Sequence, residues 1–304
     1  MLTLLTLSLA AHAQGLVPVL TEGTEHAWKF EAIYQAPDNQ ESANHLPADA
    51  ELWGGRLNCK MTAPRVDECT FGDGLFFWGW VPRGETAPKM HGVLAPVTFR
   101  ITWGPTGRVV GWDISGERAQ MQQHLAEAYA DRIVPGAWRM DSPDFRRVVG
   151  QELEQRLVLV VLSGLDIELP KKGEDNGATW KFKGLPYFAR RSQGGLGAAR
   201  VQAKVGERKP EATVVTFGGD ATTTILPVAN ETLPYASAAE QTFYEDIQGA
   251  ALINAADGRP LATQVWGFYR STLPIVGFKT VTFSAVAWSD DLSAVPGPVP
   301  VPPR

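Results

Sequence analysis

The chain has 304 residues, of which 44% are hydrophobic and 20% charged, with a formal net charge of −5. This composition excludes disorder over the body of the chain and provides enough apolar surface for one large or two modest domains. The negative charge and the absence of long basic runs argue against a nucleic-acid-binding protein, because such proteins neutralise phosphates with many cations.

Residues 1–13 read MLTLLTLSLAAHA, an apolar run followed by small residues at Ala11 and Ala13. This pattern is typical of a signal peptide, and we expect cleavage before Gln14. The run is short and no Lys or Arg precedes it, so a start further upstream or a buried strand are the alternatives. No later run approaches the ~20 apolar residues of a transmembrane helix. The sequence therefore predicts a periplasmic or secreted protein without a transmembrane segment.

Residues 14–116 are predicted to form an antiparallel β region. Short segments rich in β-branched and aromatic residues alternate with turn residues, and they read HAWKFEAIY, RLNCKM, ECTFG, LFFWGWV, PVTFRITW and RVVGWDIS. The link over residues 103–108 contains two glycines and predicts a hairpin turn. We interpret the Gly107-Arg108 pair in this link as a solvent-facing turn.

The chain has two cysteines, Cys59 and Cys69, which lie symmetrically about Pro64. A hairpin that turns at Pro64 sets them directly opposite each other. The same register makes two further pairs, Lys60 with Glu68 and Met61 with Asp67. Opposed residues in a non-hydrogen-bonded pair lie about 4.5 Å apart at Cα, near the short end of what a disulfide tolerates. We therefore predict a Cys59–Cys69 disulfide, in agreement with export, with a metal site or two free thiols as alternatives.

The pattern becomes helical over residues 117–165. The segment ERAQMQQHLAEAYADRIV contains good helix formers with apolar residues near helical spacing, and Pro135 and Gly136 end it. Ser142 and Pro143 suit the start of a second helix over DFRRVVGQELEQRLVLVVL. The last seven residues of that segment also fit a buried strand. A pair of helices is thus expected between two β regions.

Residues 166–290 return to the β pattern, with candidate strands in ATWKFKG, AARVQAKV, ATVVTFGG, TTTILPV, GAALINA, PLATQVWGFY and VTFSAVAW. Asp257-Gly258 predicts a hairpin turn. The Pro-rich tail, residues 291–304, is expected to be extended and disordered. The predicted fold class is α+β and mostly antiparallel β, with two β regions, as curved sheets or half-barrels, flanking the helical pair.

The order of these features resembles a loose group of secreted bacterial β-rich proteins of unknown function. The shared features are a first half that closes on a strand, Gly-Arg, strand unit, a helical stretch, and a second β half. That second half opens on residues 169–172 (LPKK) and 177–180 (GATW) and ends on a hairpin over residues 249–260. The first half also looks distantly like the curved sheets of lipid-carrying half-barrels. The resemblance implies a fold and an export route and supplies no catalytic set.

The sequence contains no recognisable catalytic or metal-ligating motif. His124 and Glu127 share a face of the first predicted helix, but a solvated helix face explains them better than a metal site. No HExxH motif, clustered Cys/His pattern or G-x-S-x-G elbow is present. The glycines near residue 195 lack the βαβ context of a dinucleotide loop. We predict no metal and no cofactor, and the catalytic residues, if the protein has any, stay unknown.

Aromatic residues crowd the segment LFFWGW, which contains Phe76, Phe77, Trp78 and Trp80. Consecutive aromatic residues point to both faces of a strand. The strand is therefore either covered on both sides by the core or lines an open apolar groove. As a groove, it implies a lipid or another apolar ligand.

Positive charge is concentrated in residues 171–209, where ten Lys or Arg face three acidic residues, so this segment carries +7 and the rest −12. Such a segment suits an anionic lipid surface or a polysaccharide. The solvated face of two hairpins is the alternative. The candidate patch consists of Lys181, Lys183, Arg190, Arg191 and Arg200.

The sequence favours an exported, non-enzymatic protein that binds an apolar ligand or an envelope component. A structural or adhesive cell-envelope module, with the Pro-rich tail as a spacer, is the first alternative. A hydrolase whose catalytic residues are dispersed along the chain is the second.

Overall fold

The computed structural model describes residues 21–35, 50–72, 76–77, 80–81, 89–90, 97–130, 143–169, 177–187, 196–225, 240–271 and 280–289. The expected signal peptide, residues 1–13, and the Pro-rich tail, residues 291–304, lie outside the described residues.

The first β region contains eight described strands: β1 (Glu25–Gln35), β2 (Ala50–Ala63), β3 (Val66–Phe71), β4 (Phe76–Phe77), β5 (Trp80–Val81), β6 (Lys89–Met90), β7 (Val97–Trp103) and β8 (Val109–Gly116). The hairpin between β2 and β3 turns at Pro64 and Arg65, as predicted. The hairpin between β7 and β8 also forms as predicted, and Gly107 takes a φ of 78° in its turn, a conformation that glycine adopts at low cost.

Two helices follow, α1 (Arg118–Ala130) and α2 (Pro143–Ser163). The alternative of a buried strand at the end of α2 is wrong, because residues 156–162 continue the helix. In this stretch Leu157, Val158, Val160, Val161 and Leu162 are all buried. A helix that is apolar on every side is enclosed by other elements, and this burial outweighs the weak helix propensity of valine.

The second β region contains β9 (Thr179–Lys181), β10 (Leu196–Ala199), β11 (Gln202–Arg208), β12 (Ala212–Ile225), β13 (Glu240–Asn254), β14 (Pro260–Ser271) and β15 (Thr280–Ser289). The predicted turn at Asp257-Gly258 connects β13 to β14, and Gly258 has a φ of 72°.

Within the described part of the chain, all fifteen strands belong to one sheet, whose main path runs β8-β7-β3-β2-β1-β15-β14-β13-β12-β11-β9. The two β regions join where the first strand pairs with the last, from Trp28↔Ser289 to Gln35↔Thr282. Every pairing is antiparallel. The predicted fold class, mostly antiparallel β with a helical pair inserted between two β regions, is confirmed.

The sheet curves around the end of α2. The backbone N–H of Leu169, just after α2, donates to the carbonyl of Thr106 beside β8, at 2.9 Å. The indole Nε1 of Trp180, on β9, donates to the carbonyl of Glu168 at 2.7 Å. Strands β8 and β9 are the two ends of the sheet path. Both ends reach the same short segment only because the sheet bends around it.

The inner face of this curved sheet packs on the helices. Along β1, the alternate residues Trp28, Phe30 and Ala32 are buried, as expected for a strand with one face in the core. They join a single core with residues from the other strands and both helices, including Trp53, Leu57, Phe99, Ile101, Met121, Leu125, Leu157 and Leu165.

The outer face of the first β region carries a row of alternating charges. Each residue of the row lies directly opposite the next, in the order Glu25, Lys60, Glu68, Arg100, Asp113. The nitrogen–oxygen distances are 3.0 Å from Lys60 to Glu25 and 2.6 Å from Arg100 to Glu68. Exposed ion pairs contribute little individually, but a shifted register would place like charges or mismatched groups opposite each other.

Candidate functional site

The predicted disulfide is present on the inner face of the sheet. Cys59 and Cys69 lie directly opposite each other with a Cα–Cα distance of 4.0 Å, and both are buried. The register continues this row through His26 on one side and Phe99 on the other. The bond therefore crosslinks two strands inside the core, with a histidine beside it.

Four residues near the disulfide form what we call the polar cluster: His26, Trp28, Asp67 and Trp103. The Asp67 Oδ2 atom accepts a hydrogen bond from Trp103 Nε1 at 2.8 Å and lies 3.4 Å from His26 Nε2. The side chains of His26 and Asp67 are each only 1% exposed. The rings of His26 and Trp28 meet edge to face, with their centroids 5.8 Å apart.

Three atoms of the polar cluster are buried and have no hydrogen-bond partner among the described residues: His26 Nδ1, Trp28 Nε1 and Asp67 Oδ1. A buried polar atom without a partner costs about 1–3 kcal/mol. The four residues include no hydroxyl or thiol, so by themselves they do not make a nucleophilic triad. The arrangement is suited to hydrogen bonding with a small polar group.

No sequence motif links His26 with Asp67, but strand alternation connects them. Strand residues two apart share a face. If the disulfide faces inward, Asp67, two residues before Cys69, also faces inward. His26 lies two residues before Trp28 in an alternating segment, so it points the same way. Parity along the strands would therefore have placed both residues in the core.

A second buried polar group, which we call the clasp, consists of Arg108, Asp166 and Glu168. Arg108 Nε donates to Asp166 Oδ1 at 2.8 Å, and Nη2 donates to Asp166 Oδ2 at 3.1 Å. Arg108 Nη1 lies 3.4 Å from Glu168 Oε2. Arg108 is only 5% exposed, so its interpretation as part of a solvent-facing turn is wrong. The turn before β8 instead directs this side chain to two carboxylates that follow α2.

The clasp forms further hydrogen bonds with the backbone at both ends of the sheet. Asp166 accepts the backbone N–H of Val109, on β8, at 2.8 Å and that of Tyr187, beyond β9. Glu168 accepts the backbone N–H of Lys183, and Arg108 donates to the carbonyl of Leu185. Buried charges are tolerated when they are paired and hydrogen-bonded in this way. The clasp is thus a structural joint between the sheet ends and the helical pair.

A third polar contact holds the two helices together. Arg118, at the start of α1, donates from Nε and Nη2 to the two carboxylate oxygens of Glu154 on α2, at 2.8 and 2.5 Å. The hydrogen bond to Glu154 raises the pKa of Arg118 above its usual value, although partial burial opposes the rise. Gln122 adds a hydrogen bond of 2.5 Å to the same carboxylate.

The two residues that the sequence singled out for metal chemistry, His124 and Glu127, both lie on α1. Glu127 accepts a hydrogen bond from Gln123 at 2.8 Å on the exposed side of α1. The described residues contain no group of three or more His, Cys, Asp or Glu side chains that could hold a metal ion.

The aromatic strand adds to the sheet beside the first part of β2. Phe77 on β4 lies opposite Gly54, and Trp80 on β5 lies opposite Glu51. Phe76 pairs with Met90 on β6. Trp78 lies outside the described residues. The backbone thus places these strands next to β2, and the groove itself stays a prediction.

The basic patch surrounds β9 and β11. Lys181, Lys183 and Arg200 are exposed, whereas Arg190 and Arg191 lie outside the described residues. Lys181 is opposite Gln202, and Thr179 is opposite Lys204, so Lys181 and Lys204 are diagonal neighbours on the outer face. The structure adds Lys204 to the candidate patch. Binding of an anionic partner here stays a prediction.

Among the described residues, no helix is long and apolar enough to cross a membrane. No family model matches the chain, and no curated protein matches it. Among solved structures, the chain is similar to one described as "lipid-protein interactions in lipovitellin", with a TM-score of 0.44 and 10% sequence identity. The match covers 92% of this chain, which spans about a quarter (26%) of that chain's length.

Proposed function

We propose that this is an exported protein that binds an apolar ligand at its short aromatic strands, β4 and β5. The observation that carries the proposal is the position of β4 and β5. These short aromatic strands extend the sheet beside residues 50–54 of β2, next to the buried Trp53. The aromatic segment therefore lies beside the part of β2 that carries Trp53.

The chemistry of this surface supports an apolar ligand. Aromatic side chains offer 150–250 Å² of contact area each, and ligand sites combine such surfaces with a few polar groups. The disulfide supports export, because disulfides persist in oxidising compartments.

Native mass spectrometry of the purified mature protein, together with tryptophan fluorescence during titration with long-chain amphiphiles, tests the proposal. We expect a co-purifying lipid or a saturable change in tryptophan emission. Trp80→Ala should weaken binding about tenfold or more, because an aromatic contact surface is lost. Val110→Ala is the control, because Val110 is 60% exposed on β8 at one end of the sheet. A protein that carries no lipid and whose tryptophans do not respond contradicts the proposal.

A second candidate function is attachment to an anionic envelope component through the basic patch. The observation that favours it is the diagonal pair Lys181 and Lys204 on the outer face of β9 and β11. Sedimentation with vesicles rich in phosphatidylglycerol tests it at low and high salt, because salt screens contacts between exposed charges. We expect salt-sensitive binding that the double variant Lys181→Glu/Lys204→Glu abolishes. Lys60→Gln, in the outer charge row of the first β region, should leave it unchanged. No binding at low salt would exclude this function.

A further inference from the structure

Strand β8 forms one end of the sheet path, so one of its edges has no neighbouring strand in the part of the chain that the structure describes. The hydrogen bonds of β7 show which backbone groups of β8 point to that edge. The N–H of Trp103, on β7, donates to the carbonyl of Arg65, beside β3, at 2.8 Å. Backbone groups of successive strand residues point to opposite sides, so those of Thr102 point to β8, where Thr102 lies opposite Gly111. Gly111 and every second residue after it therefore bond to β7, and the residues between them point outward.

The outward-pointing residues are Trp112 and Ile114, and no described residue bonds to their outward N–H and C=O groups. The segment after α2 occupies the same edge only before this point, where it binds Thr106 and Val109. From Gly111 to the end of β8, the pairing with β7 is regular. This part of β8 thus presents an open edge to which a further strand can add.

The two ends of the sheet differ in how they are protected against such addition. At the other end, β9 has only three residues, carries the exposed Lys181 and is followed by the exposed Lys183. Short edge strands and lysines are the devices by which proteins keep an edge unpaired. By contrast, β8 has eight residues without Lys, Arg or Pro, and its Val110 is 60% exposed. The difference favours β8 as the docking edge.

The outer charge row of the first β region indicates which partner suits this edge. The row ends at Asp113, which is exposed on β8 and lies opposite Arg100. Arg100 binds Glu68 at 2.6 Å, and Arg118, the next cation along the chain, binds Glu154. Each residue between the two ends of the row lies between residues of opposite charge. A strand that continues the row therefore carries Lys or Arg opposite Asp113.

We propose that β8 binds an extended, antiparallel peptide segment of another protein, with Lys or Arg opposite Asp113 and apolar residues opposite Trp112 and Ile114. The basic residue and Asp113 then form a non-hydrogen-bonded pair, whose Cα atoms lie about 4.5 Å apart and whose side chains are close. The apolar side chains point to the inner face, beside the half-buried Trp112 and the buried Ile114. This site is separate from the aromatic strands of the proposed function.

A second copy of β8 suits this edge less well. With Trp112 opposite the same residue of the other copy, Asp113 lies diagonal to its counterpart, and shifting the register by two residues sets the two carboxylates directly opposite each other. Like charges in these positions are unfavourable. A strand with a basic residue at this position avoids the repulsion and gains an ion pair.

A capped peptide with the core Thr-Val-Lys-Val-Thr, labelled with fluorescein through a Gly-Ser spacer, tests the proposal by fluorescence anisotropy on the wild-type protein. Its lysine suits the position opposite Asp113, and its two valines suit those opposite Trp112 and Ile114. We expect saturable binding that weakens by about tenfold or more when Glu replaces the lysine of the peptide. Failure of the lysine peptide to bind overturns the proposal. If sedimentation velocity then shows a dimer, a second copy occupies the edge.

Backbone methylation of the peptide tests strand addition itself. In the proposed register, the N–H groups of the two valines face β8, whereas those of the two threonines face away. N-methylation of both valines should abolish binding, and N-methylation of both threonines should leave it close to that of the parent peptide. Equal binding of the two methylated peptides overturns strand addition.

A charge exchange locates the site on β8. Asp113→Lys should reverse the preference, so that the glutamate peptide binds more tightly than the lysine peptide. Glu25→Lys is the matched control, because Glu25 is the acidic residue at the other end of the same row, four strands and about 19 Å from β8; the preference should remain. If Asp113→Lys does not fold, Asp113→Asn removes only the charge and should bring the ratio of the two affinities close to one. An unchanged preference in the Asp113 variants overturns the assigned site.

Discussion

The clasp makes a strong prediction about stability, which Asp166→Asn tests. Each carboxylate oxygen of Asp166 accepts two hydrogen bonds. Oδ1 accepts from Arg108 Nε and Val109 N, and Oδ2 accepts from Arg108 Nη2 and Tyr187 N. An asparagine has nearly the same shape but one oxygen only. In either orientation its NH2 group faces two donors, and the buried guanidinium loses its bidentate partner.

The size of the effect follows from burial. The side chain of Asp166 is fully buried, and that of Arg108 is 7% exposed. Removing one partner of a buried ion pair costs about 3–5 kcal/mol, because the remaining charge stays buried. Domains are stable by about 5–15 kcal/mol in total. With a urea m-value of about 3 kcal/mol/M, a loss of about 4 kcal/mol lowers the unfolding midpoint by about 1.3 M.

Urea unfolding followed by tryptophan fluorescence measures this shift, and two further variants control it. Glu25→Gln breaks the outer pair with Lys60, whose side chains are 73% and 57% exposed, and should cost less than about 1 kcal/mol. Arg108→Met combined with Asp166→Asn should cost less than the sum of the single changes, because the two side chains are in contact and their ion pair is lost only once, although Glu168 stays buried without Arg108. A midpoint for Asp166→Asn within about 0.3 M of wild type would refute the structural role of the clasp.

Three other contacts lead to testable expectations. Replacing both Cys59 and Cys69 by alanine should lower the free energy of unfolding by about 3 kcal/mol for a ten-residue separation. In the wild-type protein, intact mass after alkylation should reveal two thiols only after reduction. Free thiols in the unreduced protein would contradict export. In thermal melts, Gly150→Ala should lower the Tm although alanine favours helix, because the alanine Cβ would lie 2.4 Å from the backbone carbonyl oxygen of Gln122 on α1. Replacing the exposed Gln151 by alanine should leave the Tm unchanged. Trp103→Phe should cost about 1–3 kcal/mol in urea unfolding, because Asp67 Oδ2 loses its indole donor; an unchanged midpoint would show that the hydrogen bond contributes nothing.

Local sequence determined the hairpins and much of their register. The symmetry of Cys59 and Cys69 about Pro64 predicts the disulfide, because a tight turn leaves few choices for the residues on either side. The same applies to the turns at Gly107 and Gly258. Strand alternation also predicts that His26 and Asp67 face the core, because side chains two residues apart on a strand share a face.

Only the tertiary structure decided how these local units combine. The pairing of β1 with β15 joins segments from opposite ends of the described chain, and alternation alone does not select a partner among many similar strands. Arg108 meets carboxylates 58 and 60 residues later, although its turn looks solvent-facing in sequence. The end of α2 stays helical because a curved sheet encloses it. In each case the deciding contact is distant in the chain and exists only once the sheet has bent around the helix, so no local pattern could specify it.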